Sequence, residues 1–319
     1  MMLLEIRNLT IEAGGNRPIL RDVALSVARG EVVGLVGESG SGKSTIARAV
    51  LRLLPQNAAA RGQVLVEGQD VLSLDDGGLR SLRAATVSMI YQDPRSSLNP
   101  VRRIGDFLTE RMVHTLGRGR KEARGRALEL LAAVGMRDPE LRMRQYPHEL
   151  SGGMLQRVVI AAALAADPAL LLADEATSAL DVTTQAETLA LLRGVQAERE
   201  LGMLFITHDL HLAAAYCDRI YVLYAGTVVE SRPASALFAD PRHPYTAGLL
   251  ACTPELGDPR PIKPIPGRPP SLDDAFAGCP FAPRCAHAVA ACASSPPPSV
   301  AVEGGSAACH LIKEEAPAC

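Results

Sequence analysis

GESGSGKST, residues Gly37 to Thr45, decides how this chain is read. It fits G-x-x-x-x-G-K-S/T, and its neighbours fit as well. The apolar run Val32-Val33-Gly34-Leu35-Val36 reads as a buried strand, and Ser44 to Leu54 reads as a helix stopped by Pro55. A strand, a glycine-rich turn and a helix in that order make a polyphosphate cradle. Backbone N–H groups must reach the phosphates, so Gly37, Gly40 and Gly42 keep side chains out of the way. The helix N-terminus adds a positive dipole end. Lys43 supplies a charge for the β- and γ-phosphates, and the Ser44 hydroxyl is placed to ligate Mg²⁺. The whole loop, Gly37, Glu38, Ser39, Gly40, Ser41, Gly42, Lys43, Ser44 and Thr45, is therefore the candidate phosphate site.

Bulk properties set outer limits. A chain of 319 residues with 47% hydrophobic residues builds one large domain or two smaller ones. The formal charge of -2 gives no reason to expect a nucleic-acid partner. Tryptophan is absent and aromatics make up 3%, so the core is expected to be Leu, Val, Ile and Ala. MMLLEIRNLT lacks the basic start and apolar run of a secretory signal. The best apolar run, Val158 to Ala166, falls far short of the ~20 residues of a membrane span. The expectation is a soluble chain working in the cytosol, where its seven cysteines are poor candidates for structural disulfides.

Along the chain, Leu4 to Arg7 and Leu20 to Val27 alternate as strands around a turn at Gly14-Gly15-Asn16. Arg61 to Val71 alternates again, with turn residues at Glu67 to Asp70. These segments predict an antiparallel sheet beside the phosphate-binding core. Thr86 to Tyr91 is a short strand ending at Gln92. From about residue 93 to 160 the pattern is helical, including Ile104 to Leu116 and Arg120 to Val134. Arg120, Lys121, Arg124 and Arg126 give the latter a basic polar side, which reads as a solvated face rather than a partner patch. Leu170 to Ala173 and Met203 to Thr207 are buried strands, and Ile220 to Tyr224 with Thr227 to Val229 form a hairpin at Ala225-Gly226. Strands alternating with helices predict a mostly parallel α/β core, with ligands at the carboxyl ends of its strands. Composition shifts to proline near residue 240, where a boundary is placed between residues 1–240 and 241–319.

Two further motifs sit well with the loop. LLLADE, Leu170 to Glu175, ends an apolar strand in two acids: Asp174 to hold Mg²⁺ and Glu175 to orient and deprotonate water. LSGGMLQR, Leu150 to Arg157, opens a helix with Ser151, Gly152 and Gly153, a second anion cradle. A second cradle in one chain is explained if it serves a phosphate group held by another subunit.

GESGSGKST, Gln92, LSGGMLQR, LLLADE, SALD (Ser178 to Asp181) and His208 follow the order and spacing of an ABC-type ATPase, which residues 1–240 resemble. The resemblance implies a head-to-tail dimer with two ATP molecules between P-loops and opposing LSGG segments. It implies Gln92 as a sensor of Mg²⁺, the attacking water and the membrane partner, Glu175 as base, His208 as γ-phosphate switch, and Asp181 as a residue crossing the dimer interface. Met154 stands where many relatives have Gln, as it often does in peptide importers, and Ala176 stands where Pro is usual. The position that usually stacks on adenine is Ala13, and no Phe, Tyr or Trp precedes Tyr91. Losing that stack costs on the order of 1 kcal/mol and predicts weak base selectivity.

HPYT with Ala247 to Leu250, PIPGRPPSL (Pro264 to Leu272) and GCPFAPRC (Gly278 to Cys285) resemble the extension of oligopeptide and dipeptide importer ATPases. Cys279, Cys285, Cys292 and Cys309 are spaced x5, x6 and x16, unlike the tight pairs of zinc ribbons or ferredoxins. Spacing alone leaves metal binding open; a small tail without its own apolar core gives a metal something to do. The resemblance implies a 4Fe–4S cluster, with zinc the second choice, and leaves Cys217, Cys252 and Cys319 as spares. It also implies ATP-driven import of di- or oligopeptides at the cytoplasmic face of the cell membrane. The implied partners are a second ABC ATPase subunit (a distinct paralogue or a second copy), two membrane permease subunits and an extracytoplasmic substrate-binding protein. Import of a nickel chelate or glutathione, or a soluble non-transport ABC ATPase, are the alternatives.

Overall fold

A computed structural model describes residues 2–14, 17–177, 180–252, 263–271 and 274–312. Gly15, Asn16, Ser178, Leu272 and Cys319, all used in the sequence reading, lie outside the described residues, as do several prolines of the proline-rich stretch, Pro254, Pro259 and Pro261. The chain is α/β, with an antiparallel N-terminal sheet and a mostly parallel core. It divides into two compact units.

One unit holds residues 66–206 with 1–4 and 27–31. Its strands Val87–Ile90, Leu170–Asp174 and Gly202–Ile206 run parallel, with Val87 opposite Leu170 and Asp174 opposite Ile206. Every residue of the last two is buried, which is why they read as unbroken apolar runs rather than alternating ones. The helical stretch contains Ile104–Glu110, a π-helical turn Arg111–Thr115, then Arg120–Ala133, Pro139–Arg144 and Gly152–Leu164. The basic face of Arg120–Ala133 is partly matched within the unit. Arg124 pairs with Glu140, and Arg126 reaches Asp167 at 2.6 Å, an acid shared with Arg118 and Arg199.

The other unit holds residues 5–26, 32–65 and 207–319. Strand Val32–Val36 is fully buried and pairs in parallel with Arg219–Tyr224, Val33 opposite Arg219 and Val36 opposite Val222. Arg219–Tyr224 turns back into Thr227–Pro233 through Ala225 and Gly226, both at positive φ as a type I′ hairpin requires. Strands Arg17–Ala28, Met2–Ala13 and Ala59–Val66 lie side by side in that order. The helix after the loop runs only from Lys43 to Val50, short of the expected Leu54. Leu51 caps it and Arg52 turns left-handed at φ 48°, so the chain leaves the helix before Pro55 can act.

The composition change near residue 240 is not a break in packing. Strand Gly305–Ala308 joins the edge of Thr227–Pro233, Glu230 opposite Ala307, and carries Ser299–Val302 beside it. Arg232, 2% exposed, binds this hairpin by donating from Nε to the Glu303 carbonyl at 3.0 Å, and its Nη1 donates to the Asp240 carbonyl at 2.5 Å. The extension thus continues the sheet that carries the phosphate loop.

Candidate nucleotide site

The loop leaves the end of strand Val32–Val36 at Gly37, where φ is 151° and a Cβ would run into the Leu223 carbonyl oxygen. Only glycine fits there, because the neighbouring strand's backbone occupies the space. Lys43, 6% exposed, folds back along the loop and donates from Nζ to the carbonyls of Gly37 at 2.7 Å and Glu38 at 2.9 Å. The ammonium is therefore held at the mouth of the loop before any phosphate arrives. Ser41 Oγ is buried without a hydrogen-bond partner among the described residues. A buried hydroxyl left unsatisfied is costly, and a phosphate oxygen is a partner of the right chemistry. Together the restrained lysine, the closed-in backbone and the orphaned hydroxyl fit a polyphosphate.

In the same unit, His208 is exposed just after Thr207, whose N–H bonds the Leu35 carbonyl at 3.3 Å. Asp209 caps the next helix, accepting from the Leu212 N–H at 3.0 Å. Ala13 closes strand Met2–Ala13.

The other unit gathers Asp174, Glu175 and Gln92. Asp174 is 6% exposed at the strand end. Glu175 follows in the left-handed region at φ 48°, a strained position for a non-glycine residue. Its N–H bonds the Ile206 carbonyl at 3.0 Å, and its carboxylate accepts from Gln92 Nε2 at 2.6 Å. Two residues 83 apart in sequence thus meet, as the sequence motifs require. Ser151 caps helix Gly152–Leu164 by accepting from the Met154 N–H at 3.4 Å, and Ser151 and Gly152 are exposed. That helix is tied to the acidic pair by Gln156, 1% exposed, which donates to the Ala176 carbonyl. Sequence reasoning passed over Gln156. Asp181 caps helix Val182–Arg199, accepting from Thr184 N at 3.0 Å and Thr184 Oγ1 at 2.8 Å, and these bonds hold its carboxyl below the usual range.

The motifs of the extension find their reason at the phosphate loop. His243 caps helix Pro244–Ala251 through Nδ1, which accepts from the Tyr245 N–H at 3.0 Å. The Tyr245 hydroxyl, fully buried, accepts from the Glu38 N–H at 2.9 Å. Arg284 Nη1 and Nη2 meet the Glu38 carboxylate at 2.7 Å and 3.0 Å, a bidentate pair. Hydrogen bonding to Glu38 raises the Arg284 pKa further. Arg284 also donates to the Pro266 carbonyl at 2.9 Å. Phe281 packs edge-on against Tyr224 at 5.3 Å and lies 5.3 Å from Tyr245. A signal for this was present: a carboxylate inside a phosphate loop repels its ligand unless a cation answers it.

Two of the four extension cysteines meet through the backbone. Cys279 donates its N–H to the Cys292 carbonyl at 2.8 Å, an approach open only because residue 278 is glycine, whose Cβ would strike that carbonyl. Burial raises the Cys279 thiol, and the sulfurs of Cys292 and Cys309 push the same way. Cys309 is raised by burial and then by Cys285 and Cys292. Among the described residues, no three metal-ligating side chains sit close enough to hold a single ion. No disulfide forms among the described cysteines. Cys217 is buried against Gly34, and Cys252 Sγ lies 3.1 Å from the Lys263 carbonyl.

The phosphate loop in one unit, and in the other a strand ending in Asp174-Glu175 with Gln92 beside it and a helix capped by Ser151, carry the motifs of an ABC-type ATPase. Comparison with known proteins agrees. Residues 20–178 match the ABC transporter family, and residues 229–292 match the oligopeptide/dipeptide transporter C-terminal region. The chain belongs to the family of ABC transporter ATP-binding proteins of the oligopeptide/dipeptide type. It is 46% identical to the oligopeptide transport ATP-binding protein OppD of Mycobacterium tuberculosis, covering 92% of this chain and 49% of that one. The chain thus spans about half the length of that relative. It is 45% identical to a putative peptide import ATP-binding protein of Brucella melitensis, covering 89% of this chain and 88% of that one. Among solved structures it resembles the dimeric ABC transporter cassette MJ0796 with a TM-score of 0.65 and 29% identity, over 72% of this chain and 98% of that one.

Proposed function

We propose that this chain is the ATP-hydrolysing subunit that drives import of di- or oligopeptides through a separate membrane permease. The observation that carries the reading is the joint presence of a preformed phosphate loop and the matched peptide-transporter extension in one chain. Among the described residues no helix is long and apolar enough to cross a membrane, so the pore is assigned to two partner subunits. A second ATPase subunit, a paralogue or a second copy, and an extracytoplasmic binding protein complete the system at the cytoplasmic membrane face.

Each residue then has a task. Lys43, Ser44, Thr45 and the loop from Gly37 to Gly42 bind the phosphates, apart from the N–H groups of Glu38 and Ser41, which are engaged by the Tyr245 hydroxyl and the Glu38 carbonyl. Ser44 in one unit, and Asp174 with Gln92 in the other, would each offer oxygen ligands to Mg²⁺, which would supply charge neutralisation to the phosphates. Glu175 takes the proton of the attacking water, while Gln92, already bonded to its carboxylate, keeps that oxygen oriented. His208 holds the γ-phosphate side. Ser151, Gly152, Gly153 and Asp181 serve the ATP bound by the partner subunit. Adenine, with Ala13 in place of a ring, rests on aliphatic side chains or on another loop. Cys279, Cys285, Cys292 and Cys309 hold a 4Fe–4S cluster in preference to zinc. This part of the reading rests on the resemblance of the extension alone, since no described trio of metal-ligating side chains is close enough to hold an ion.

The test is co-purification from native membranes, with phosphate release measured on the purified chain. The expected result is ATP turnover and recovery with a permease pair and a peptide-loaded binding protein. Recovery with nucleic acid, or with a permease whose binding protein carries no peptide, would overturn the transport assignment.

A further inference from the structure

We propose that Arg284 and Tyr245 of the C-terminal extension are positioning residues of the phosphate loop, and that Arg284 makes the loop competent for a polyphosphate by neutralising Glu38. The inference rests on the ATP-binding reading above. Its ground is the charge balance of the loop. GESGSGKST holds one cation, Lys43, and one anion, Glu38, next to each other at the mouth. An unanswered carboxylate there would oppose a ligand carrying several negative charges. In the structure it is answered by a guanidinium from 246 residues away, two parallel bonds at 2.7 Å and 3.0 Å, with the Arg284 side chain only 5% exposed. With the Glu38 side chain 24% exposed, the pair is part-buried and is screened by salt less than a surface pair would be.

Tyr245 acts on the backbone of the same residue. Its hydroxyl takes the Glu38 N–H, while the Glu38 carbonyl takes Lys43 Nζ. Side chain, N–H and carbonyl of Glu38 are thus each fixed, two of the three by the extension. The ring of Tyr245 is locked by Tyr224 at 4.5 Å and Phe281 at 5.3 Å, so the hydroxyl has little freedom to leave. Arg284 is locked by the Pro266 carbonyl and lies with its guanidinium carbon 5.9 Å from the Tyr224 ring centre. Neither residue belongs to the P-loop motif, and neither is needed to touch the nucleotide.

The experiment is binding of a fluorescent, non-hydrolysed ATP analogue with Mg²⁺ to the full chain. Arg284→Met leaves the carboxylate unpaired and should weaken binding about tenfold or more. Glu38→Gln with Arg284→Met removes both charges and should restore affinity to within about threefold of the parent. Arg284→Lys keeps the charge without the fork and should also stay within about threefold, which keeps the test alive if the methionine variant folds poorly. Turnover at saturating ATP should barely change in the two single Arg284 variants, because the base and its glutamine are untouched. Two outcomes overturn the proposal: Arg284→Met binding like the parent, or the double variant staying as weak as Arg284→Met. A parent chain that binds no nucleotide overturns the ATP reading instead.

Discussion

Glu175→Gln separates binding from chemistry at this site. The substitution is nearly isosteric, so the left-handed backbone at φ 48° carries the same strain in both forms. The contact from Gln92 Nε2, 2.6 Å to Glu175 Oε2, survives as an amide–amide hydrogen bond through the new carbonyl oxygen. The strand end and the bond from the Glu175 N–H to Ile206 depend on backbone alone. Folding stability should therefore move by no more than about 0.5 kcal/mol. What disappears is the basic oxygen. A positioned general base contributes about 10²–10⁴ in rate, which is about 2.7–5.5 kcal/mol of barrier. The expected result is a drop of at least about 100-fold in phosphate release at saturating Mg-ATP, with analogue affinity within about threefold of the parent. Turnover within about threefold of the parent would refute the base assignment. A matching collapse of affinity would refute the claim that the loss is purely chemical.

Three other outcomes follow from named features. Burial holds the His243 imidazole down at about 4, against 6.5 in the unfolded chain, with the Glu230 carboxylate engaged by its backbone N–H at 2.9 Å. Between those values the unfolded state takes the proton first, so stability falls as pH drops from neutrality, by about 2 kcal/mol at pH 5. His243→Asn keeps an acceptor for the Tyr245 N–H and should flatten urea-midpoint loss between pH 7 and 5; an unchanged slope would exclude His243 as its source. The chain purified without oxygen should be brown, with about four irons per chain, and lose both on Cys279→Ser with Cys292→Ser; a colourless, iron-free protein would remove the cluster. With Ala13 in place of a ring, ATP and GTP affinities should agree within about tenfold, given that a lost stack is worth about 1 kcal/mol; a gap of several orders of magnitude would mean another group reads the base.

The phosphate loop was legible because its chemistry constrains consecutive residues: Gly37, Lys43 and Ser44 act within one turn of chain. The hairpin at Ala225-Gly226 was legible for the same local reason. Gln92 and Glu175 were legible only as members of an ordered set of motifs, since each alone is an ordinary polar residue at a strand end. The clamp on Glu38 was not legible as such. HPYT and GCPFAPRC could be quoted, but nothing in local sequence says that Tyr245 and Arg284 end at one residue of a loop some 200 positions earlier. Tertiary register decides that, through the pairing of Thr227–Pro233 with Arg219–Tyr224 and then with Gly305–Ala308. The early end of helix Lys43–Val50 was missed because Pro55 offered a louder stop signal than the backbone turn at Arg52.

The placement of the clamp gives the cysteine tail a consequence beyond its own folding. Past residue 252, the buried apolar residues among those described are few and small apart from Phe281, Val300 and Val302. Such a segment buries too little to hold its shape unaided, and a cross-link through its thiols is the physical remedy. Arg284 precedes Cys285 directly, and Cys279 and Cys285 bound the short loop that carries it. If the proposed thiol-bound group holds that loop, its loss would also loosen Arg284 from Glu38. Binding of nucleotide and order of the extension are then linked functions: whatever stabilises one must stabilise the other by the same free energy. A chain with an unfinished extension would carry an uncompensated carboxylate at its phosphate loop and hold ATP poorly. On that proposal, completion of the cysteine site would precede competence for ATP, with Glu38 and Arg284 as the link.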